Sequence, residues 1–131
     1  MPRKGERIGL LRTYRYPIEA DSIEVPRGLV DGGESPEQAA CREMCEETGY
    51  PAESCRHLGQ IYADTGLIMR HIDVFVCDAG DRQASEHGEM EVIDDFAWKT
   101  WPELSLMIVS GQIRCGITLA ALMLLRTASP E

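Results

Sequence analysis

The stretch from Gly28 to Tyr50, GLVDGGESPEQAACREMCEETGY, decides how this chain folds. A glycine-rich turn is followed there by a segment dense in glutamate, and two of its five glutamates, Glu46 and Glu47, are adjacent. Like charges at helical spacing repel one another. The stretch therefore needs either full solvation of its carboxylates or a cation that they share.

The signals at the two ends of this stretch predict a helix from Pro36 to Thr48. Ser35 can cap the first turn, Pro36 suits the first helical position, and Gln38 completes a capping box. Gly49 stands where a helix commonly ends in the left-handed conformation.

The spacing of the acidic residues places their carboxylates on one side of this helix. Glu43 and Glu47 are four residues apart and share a face, and Glu46 lies beside them, four residues after Arg42. Two interpretations stay open on geometry alone: a solvated acidic face, or a set of ligands for Mg²⁺ or Mn²⁺, which take oxygen donors. The opposite side, which we expect to pack on a sheet, carries Cys41, Met44 and Cys45.

The same spacing resembles the Nudix box, G-x5-E-x7-R-E-U-x-E-E-x-G-U, in which U is a bulky apolar residue. The chain matches every defined position from Gly28 to Tyr50. Seven fixed residues at about 7% frequency each would match by chance on the order of once in a million sequences, which disfavours the solvated face.

The resemblance implies a hydrolase of nucleoside diphosphates linked to another group, acting with Mg²⁺ or Mn²⁺. It implies metal ligation by the last three box glutamates and by the carbonyl of Arg27 beside Gly28. It also implies that Arg42 orients the glutamates and that Glu34 braces the loop. The implied metal ligands are Glu43, Glu46, Glu47 and Arg27.

The flanks of the box are similar to ADP-ribose pyrophosphatases. The similar segments are Arg12–Pro17 (RTYRYP), Glu24–Gly28 (EVPRG) and Gly111–Leu122 (GQIRCGITLAAL). In that group an arginine and a glutamate before the box contact the nucleotide, and the matching residues here are Arg15 and Glu24. Arg27 and Gly28 would complete the substrate-binding set.

A further acid in that family often comes from a loop after the box and acts as a base or a metal ligand. The segment His87–Glu91 (HGEME) occupies that place, and both Glu89 and Glu91 are candidates. Asp64 in Tyr62–Gly66 (YADTG) is interpreted as a turn residue rather than a substrate contact.

Composition predicts one domain over residues 1–131, with reduced thiols and a cytoplasmic location. The net charge of −9 argues against a nucleic-acid surface, and the five cysteines have no C-x-x-C spacing. The longest apolar run, Leu119–Leu125, is about a third of the roughly 20 residues that span a membrane. The N-terminal residues MPRKGER do not lead into an apolar signal core.

Alternating strand and helix patterns predict an α/β (α+β) architecture, which the resemblance specifies as a Nudix fold with a mixed β-sheet sandwiched between helices. The predicted strands are Arg7–Tyr16, Ser22–Val25, His57–Ala63, His71–Cys77 and Val92–Trp98, and the remaining predicted helices are Pro102–Val109 and Ile113–Arg126.

The chain differs from typical ADP-ribose pyrophosphatases at its start. Those proteins carry a strand or small domain before the segment that begins here at Ile8, and it often builds their homodimer and part of the adenine site. A compact variant, a partner subunit that completes the site and a late start are all consistent with this difference. We expect a homodimer.

Three functions are compatible with the sequence. The first is hydrolysis of ADP-ribose or an ADP-sugar to AMP and a sugar phosphate, with a small-molecule nucleotide sugar as the partner. The second is removal of oxidised nucleoside triphosphates, a branch that usually lacks the RTYRYP and EVPRG flanks. The third is a nucleotide sensor without catalysis, and such domains usually lose box glutamates that this chain retains.

Overall fold

The computed structural model of the protein describes residues 1–82 and 95–128. Its strands are β1 (Pro2–Lys4), β2 (Arg7–Arg15), β3 (Ala20–Glu24), β4 (Ala52–Tyr62), β5 (His71–Ala79) and β6 (Phe96–Thr100). Its α-helices are α1 (Pro36–Thr48), α2 (Trp101–Val109) and α3 (Gly116–Ala128), and a single 3₁₀ turn covers Tyr16–Ile18.

The strands form one mixed sheet in the order β3-β2-β1-β5-β4, and β6 also pairs with β2. The pair β1 and β5 is parallel, while the other pairs are antiparallel. The two halves of the sheet therefore meet at the short strand β1.

Strand β5 shows how the sheet separates two apolar layers. Its residues Val74 and Val76 join the main core with buried residues of α2 and α3, such as Leu104 and Leu122. The alternate residues, Phe75 and Cys77, pack with Met44 of α1 in a second cluster. Because successive side chains of a strand point to opposite faces, α1 covers one face of the sheet and α2 with α3 cover the other. The predicted mixed sheet sandwiched between helices is confirmed.

Helix α1 has the predicted boundaries. The backbone N–H of Gln38 donates to the Ser35 hydroxyl at 3.2 Å, and the Gln38 side chain accepts from the Ser35 N–H at 2.8 Å. Gly49 ends the helix with φ of 73°, and its N–H donates to the Cys45 carbonyl at 2.9 Å. Both ends are thus fixed by contacts within a few residues, which is why the sequence predicts them.

Other elements differ from the prediction, β1, β4 and α3 among them. Strand β1 was not expected, because three residues carry no recognisable pattern and are held by pairing with β2 and β5. Strand β4 begins at Ala52 rather than His57 and contains irregular register near Gly59. Helix α3 begins at Gly116 rather than Ile113, because Ile113 is buried in the core ahead of the helix. Part of the predicted strand Val92–Trp98 lies outside the described residues.

The prediction of five reduced cysteines is wrong for Cys55 and Cys77, which form a disulfide. The register of β4 against β5 places these two residues directly opposite one another, with their Cα atoms 4.1 Å apart. Cys41, Cys45 and Cys115 are free thiols. The pairing depends on strand register, which the spacing of cysteines in the sequence does not reveal.

The predicted turn at Asp64 is confirmed, since its carboxylate accepts the backbone N–H of Gly66 at 2.8 Å. Within residues 1–82 and 95–128, each helix is too short or too polar to cross a membrane.

Candidate active site

The loop before α1 lies directly against the acidic side of that helix. A Cβ added to Gly28 would lie 1.9 Å from the Cδ of Glu43, so any side chain at this position would overlap the carboxylate. The neighbouring backbone N–H of Arg27 donates to Oε2 of Glu47 at 3.1 Å. The absence of a side chain at Gly28 therefore lets the loop backbone reach two of the box glutamates.

Arg42 joins this loop to the helix. Its guanidinium binds both carboxylate oxygens of Glu34, at 2.7 and 3.2 Å, and donates to the Leu29 carbonyl at 3.0 Å. It also contacts Glu43 at 2.9 Å and Glu46 at 3.1 Å, the latter as the four-residue spacing predicts. One side chain thus fixes the turn and two of the acidic residues together.

Glu34 receives a further contact from the loop itself. The backbone N–H of Asp31 donates to Oε1 of Glu34 at 2.8 Å. The hydrogen bond from Arg42 and this backbone bond hold the pKa of Glu34 below its ordinary value. The hydrogen bonds that Arg42 donates to Glu34 and Glu43 raise the pKa of Arg42 in turn. Asp31 also lies 3.5 Å from Arg42, a contact that sequence reasoning missed.

Glu47 has a different electrostatic environment from the other box glutamates. Burial, and then the nearby charge of Glu43, raise its pKa above the ordinary value, and the Arg27 N–H and the charges of Arg15 and Arg27 only partly oppose this. Glu46 is the most exposed of the box acids, with 59% of its side chain accessible against 19% for Glu43. The helix therefore presents one sheltered pair of carboxylates and one exposed carboxylate.

The oxygen donors of Glu43, Glu46 and Glu47 fit a hard divalent cation such as Mg²⁺ or Mn²⁺. In the part of the chain that the structure describes, these three carboxylates do not lie within 4.8 Å of one another as a set. Glu43 and Glu46 are both engaged by Nη1 of Arg42, whereas Glu47 is engaged by the Arg27 N–H.

A cleft of about 520 Å³ adjoins the acidic residues. Arg27 connects the two features, because its backbone binds Glu47 while its side chain contacts Glu24 in the cleft. The polar and charged residues in the cleft wall include Arg15, Asp21, Ser22, Glu24, Arg27 and Arg114. Arg27 thus links the acidic helix to a cleft that contains three arginines.

Glu24 organises the arginines of this cleft. It is 3% exposed, it accepts hydrogen bonds from Arg15 at 2.6 and 3.1 Å, and it forms an ion pair with Nε of Arg27 at 3.1 Å. Burial alone would raise the pKa of Glu24, but hydrogen bonds from Arg15 and Ser22 and the charge of Arg27 outweigh burial and hold it below the ordinary value. Both carboxylate oxygens are therefore occupied by arginine, and the residue is not a solvated strand end.

Arg114 and Asp21 line the cleft and were not singled out from the sequence. Arg114 lies within the similar segment Gly111–Leu122, so an isolated cation just before an apolar helix was the available signal. The two predicted acids of the later loop, Glu89 and Glu91, lie outside the described residues.

Comparison with known proteins gives matches over most of the chain. The profile of the NUDIX domain matches residues 2–114. An ADP-ribose pyrophosphatase of Bacillus subtilis is 33% identical over 72 residues, which cover 55% of this chain and 39% of that protein. A GDP-mannose pyrophosphatase of Citrobacter koseri is 29% identical over 135 residues, which cover 97% of this chain and 70% of that protein.

A solved structure described as an ADP compounds hydrolase superposes with a TM-score of 0.75 at 24% identity, covering 96% of this chain and 68% of that one. This likeness shows the fold. The chain spans only about two fifths of the length of the Bacillus subtilis relative, so it corresponds to a part of that protein.

Proposed function

Since the chain belongs to the NUDIX domain family, we propose that it hydrolyses the diphosphate bond of a nucleoside diphosphate linked to a second group. We propose ADP-ribose or an ADP-sugar as the substrate, with AMP and a sugar phosphate as products. The observation that carries the proposal is the junction at Arg27, where the box carboxylates meet a cleft with three arginines. Binding a diphosphate together with its metal ion requires carboxylates that bind the ion and arginines that bind the phosphates.

In this proposal the box holds Mg²⁺ or Mn²⁺. Glu43, Glu46 and Glu47 would supply carboxylate oxygens, and Arg27 would add its carbonyl. When bound, such an ion neutralises phosphate charge, polarises the P–O bond and lowers the pKa of a bound water. Gly28 keeps the loop backbone within reach of Glu43, and Arg42 positions Glu43 and Glu46 through its two contacts.

The cleft would bind the diphosphate and the groups attached to it. Arg15, Arg27 and Arg114 would neutralise the diphosphate, and Glu24 would hold the first two of these arginines in place. Catalysis of phosphoryl transfer is mainly positioning and electrostatic stabilisation, which these fixed charges supply. Water would attack a phosphorus and release the sugar phosphate or AMP, while Glu89 or Glu91 would accept the proton of that water.

The choice of an adenine nucleotide rests on similarity. The flanks of the box and the Bacillus subtilis relative named ADP-ribose pyrophosphatase both support it. The Citrobacter koseri relative named GDP-mannose pyrophosphatase matches a longer part of the chain, so guanine sugars belong in the same assay. We expect a homodimer, which sedimentation of the purified protein would test.

The proposal is tested with a substrate panel assayed in Mg²⁺ or Mn²⁺, with products separated by chromatography. The panel contains ADP-ribose, ADP-glucose, GDP-mannose, NADH, diadenosine polyphosphates and oxidised dGTP. We expect cleavage of ADP-ribose to AMP and ribose 5-phosphate. Loss of partners that merely orient metal ligands costs about 10–100-fold, so Glu47→Gln should cost more than about 100-fold.

Glu37→Gln is the matched control, because it removes the same charge from an exposed position on the same helix. Its activity should equal that of the wild type. Cleavage of oxidised dGTP alone would favour nucleotide-pool sanitation, and nucleotide binding without cleavage would favour a sensor. Full Mg²⁺-dependent activity in a Glu46→Gln, Glu47→Gln double variant would refute the assignment of the metal site.

A further inference from the structure

Three cysteine sulfurs meet where α1 packs on the sheet. Sγ of Cys41 on α1 lies 3.1 Å from Sγ of Cys55 on β4, and Cys55 is bonded to Cys77 on β5. The three sulfurs lie within 4.8 Å of one another. In residues 1–82 and 95–128 they are the one group of three His, Cys, Asp or Glu side chains that lie this close together. A free thiol is therefore in contact with one sulfur of a disulfide.

We propose that Cys41, Cys55 and Cys77 form a thiol–disulfide exchange site in which the bond passes between Cys55–Cys77 and Cys41–Cys55. The Cys41 thiol loses its proton and its thiolate attacks Sγ of Cys55, forming the Cys41–Cys55 bond as the Cys55–Cys77 bond breaks. The electron pair of the broken bond leaves with Cys77, which then takes up a proton. One thiol and one disulfide are present before and after, so the step needs no oxidant or reductant.

The surroundings of the sulfurs favour the observed bond over its alternative. Cys77 is fully buried beside Met44 and Phe75, and such apolar surroundings disfavour a thiolate. Because the exchange would release Cys77 as a thiolate within this apolar cluster, Cys55–Cys77 is the major form and Cys41–Cys55 the minor form.

The exchange changes what the covalent bond connects. In the observed form the bond joins the two adjacent strands β4 and β5. In the other form it joins β4 to α1 at Cys41, two residues before Glu43. The helix that carries the box acids then becomes covalently attached to the sheet, while the two strands keep only their hydrogen bonds.

Trypsin separates the cysteines well enough to measure this exchange. The peptides 28–42, 43–56 and 71–82 contain Cys41, Cys45 with Cys55, and Cys77 respectively. The full chain is equilibrated in a glutathione redox buffer, blocked with N-ethylmaleimide at acidic pH, digested without reductant and analysed by mass spectrometry. Cys45→Ser is the background for every sample, because it leaves Cys55 as the single cysteine of its peptide.

We expect the 43–56/71–82 pair to dominate in this background, with a minor share of the 28–42/43–56 pair. Adding Cys77→Ser should make the 28–42/43–56 pair the main product, and adding Cys41→Ser should abolish it. The proposal is overturned if the parent contains only the 43–56/71–82 pair, or if the Cys77→Ser chain carries Cys41 and Cys55 as separate glutathione adducts. The parent measurement decides by itself if Cys77→Ser prevents folding, since either the minor pair is present or it is not.

Discussion

Replacement of Glu24 by glutamine tests the buried centre of the arginine cleft. Glu24 accepts two hydrogen bonds from Arg15, forms an ion pair with Arg27, and is 3% exposed. Glutamine has nearly the same shape but only one acceptor oxygen. If that oxygen takes the place of Oε2, one hydrogen bond from Arg15 and the contact with Arg27 remain in a weaker neutral form. The bond from Nε of Arg15 then becomes a contact between two donors.

The magnitude follows from these three contacts. A hydrogen bond to a charged group contributes about 1.5–3 kcal/mol, and an unsatisfied donor costs a similar amount. Arg15 and Arg27 are 37% and 36% exposed, so solvent replaces part of what they lose. We therefore expect Glu24→Gln to lower the free energy of unfolding by about 1–2 kcal/mol, which lowers Tm by roughly 3–10 °C for a chain of this size.

The pH dependence gives a second signature of the same pair. The pKa of Glu24 in the folded chain lies below its ordinary value of 4.5, so the carboxylate stabilises the fold above that pH. This stabilisation is lost as the pH falls through the lower, folded-state value. The difference between wild type and Glu24→Gln should therefore be complete at pH 7 and should shrink below pH 4.5.

Thermal unfolding at several pH values measures this difference, with Glu6→Gln as the control at an exposed turn position. In the proposed function, KM for ADP-ribose should rise more than kcat falls, because Arg15 and Arg27 lose the group that positions them. Equal stability of Glu24→Gln and wild type at pH 7, or a difference that persists unchanged to acid pH, would refute this reasoning.

Two further substitutions probe α1. Gly28→Ala should displace the carboxylate of Glu43 and lower activity by about 10–100-fold. Gly32→Ala is its control because a Cβ there meets nothing within 4 Å, and equal activity of both variants would contradict the steric argument. Thr48→Val removes a buried hydroxyl that donates to a helix carbonyl at 2.6 Å and accepts the N–H of Tyr50 at 3.1 Å. Chemical denaturation should show a loss of about 1–3 kcal/mol, and an unchanged midpoint would show that these bonds add no net stability.

The elements that the sequence predicted best are those held by local contacts. Helix α1 has its predicted ends because Ser35, Gln38 and Gly49 act on backbone groups within four residues. Strand β1 escaped prediction because it is only three residues long and because one of its two partners, β5, lies more than seventy residues away. The predicted helix Ile113–Arg126 begins too early, because an apolar residue such as Ile113 suits a core position ahead of a helix as well as a position within it.

The candidate site shows the same difference between local features, which the sequence predicted, and contacts between distant residues, which it did not. The order of acids along α1 was readable from the sequence, because a helical period fixes which residues share a face. The close approach of Gly28 to Glu43 joins residues that are fifteen apart in the chain, and the contact of the Arg27 N–H with Glu47 joins residues that are twenty apart. The pairing of the buried Glu24 with Arg15 and Arg27 joins residues of different segments and was not predicted, while the role of Glu24 as a substrate contact stays a prediction.

The sequence by itself determined helix α1, the set of carboxylates it carries and the family to which the chain belongs. Local hydrogen bonds and side-chain period were sufficient for this, because they depend on neighbouring residues only. The tertiary structure alone decided the arginine cleft, the disulfide of Cys55 with Cys77 and the contact of Cys41 with that disulfide. Each of these depends on strand register and on packing of α1 against the sheet, which join residues far apart in the chain.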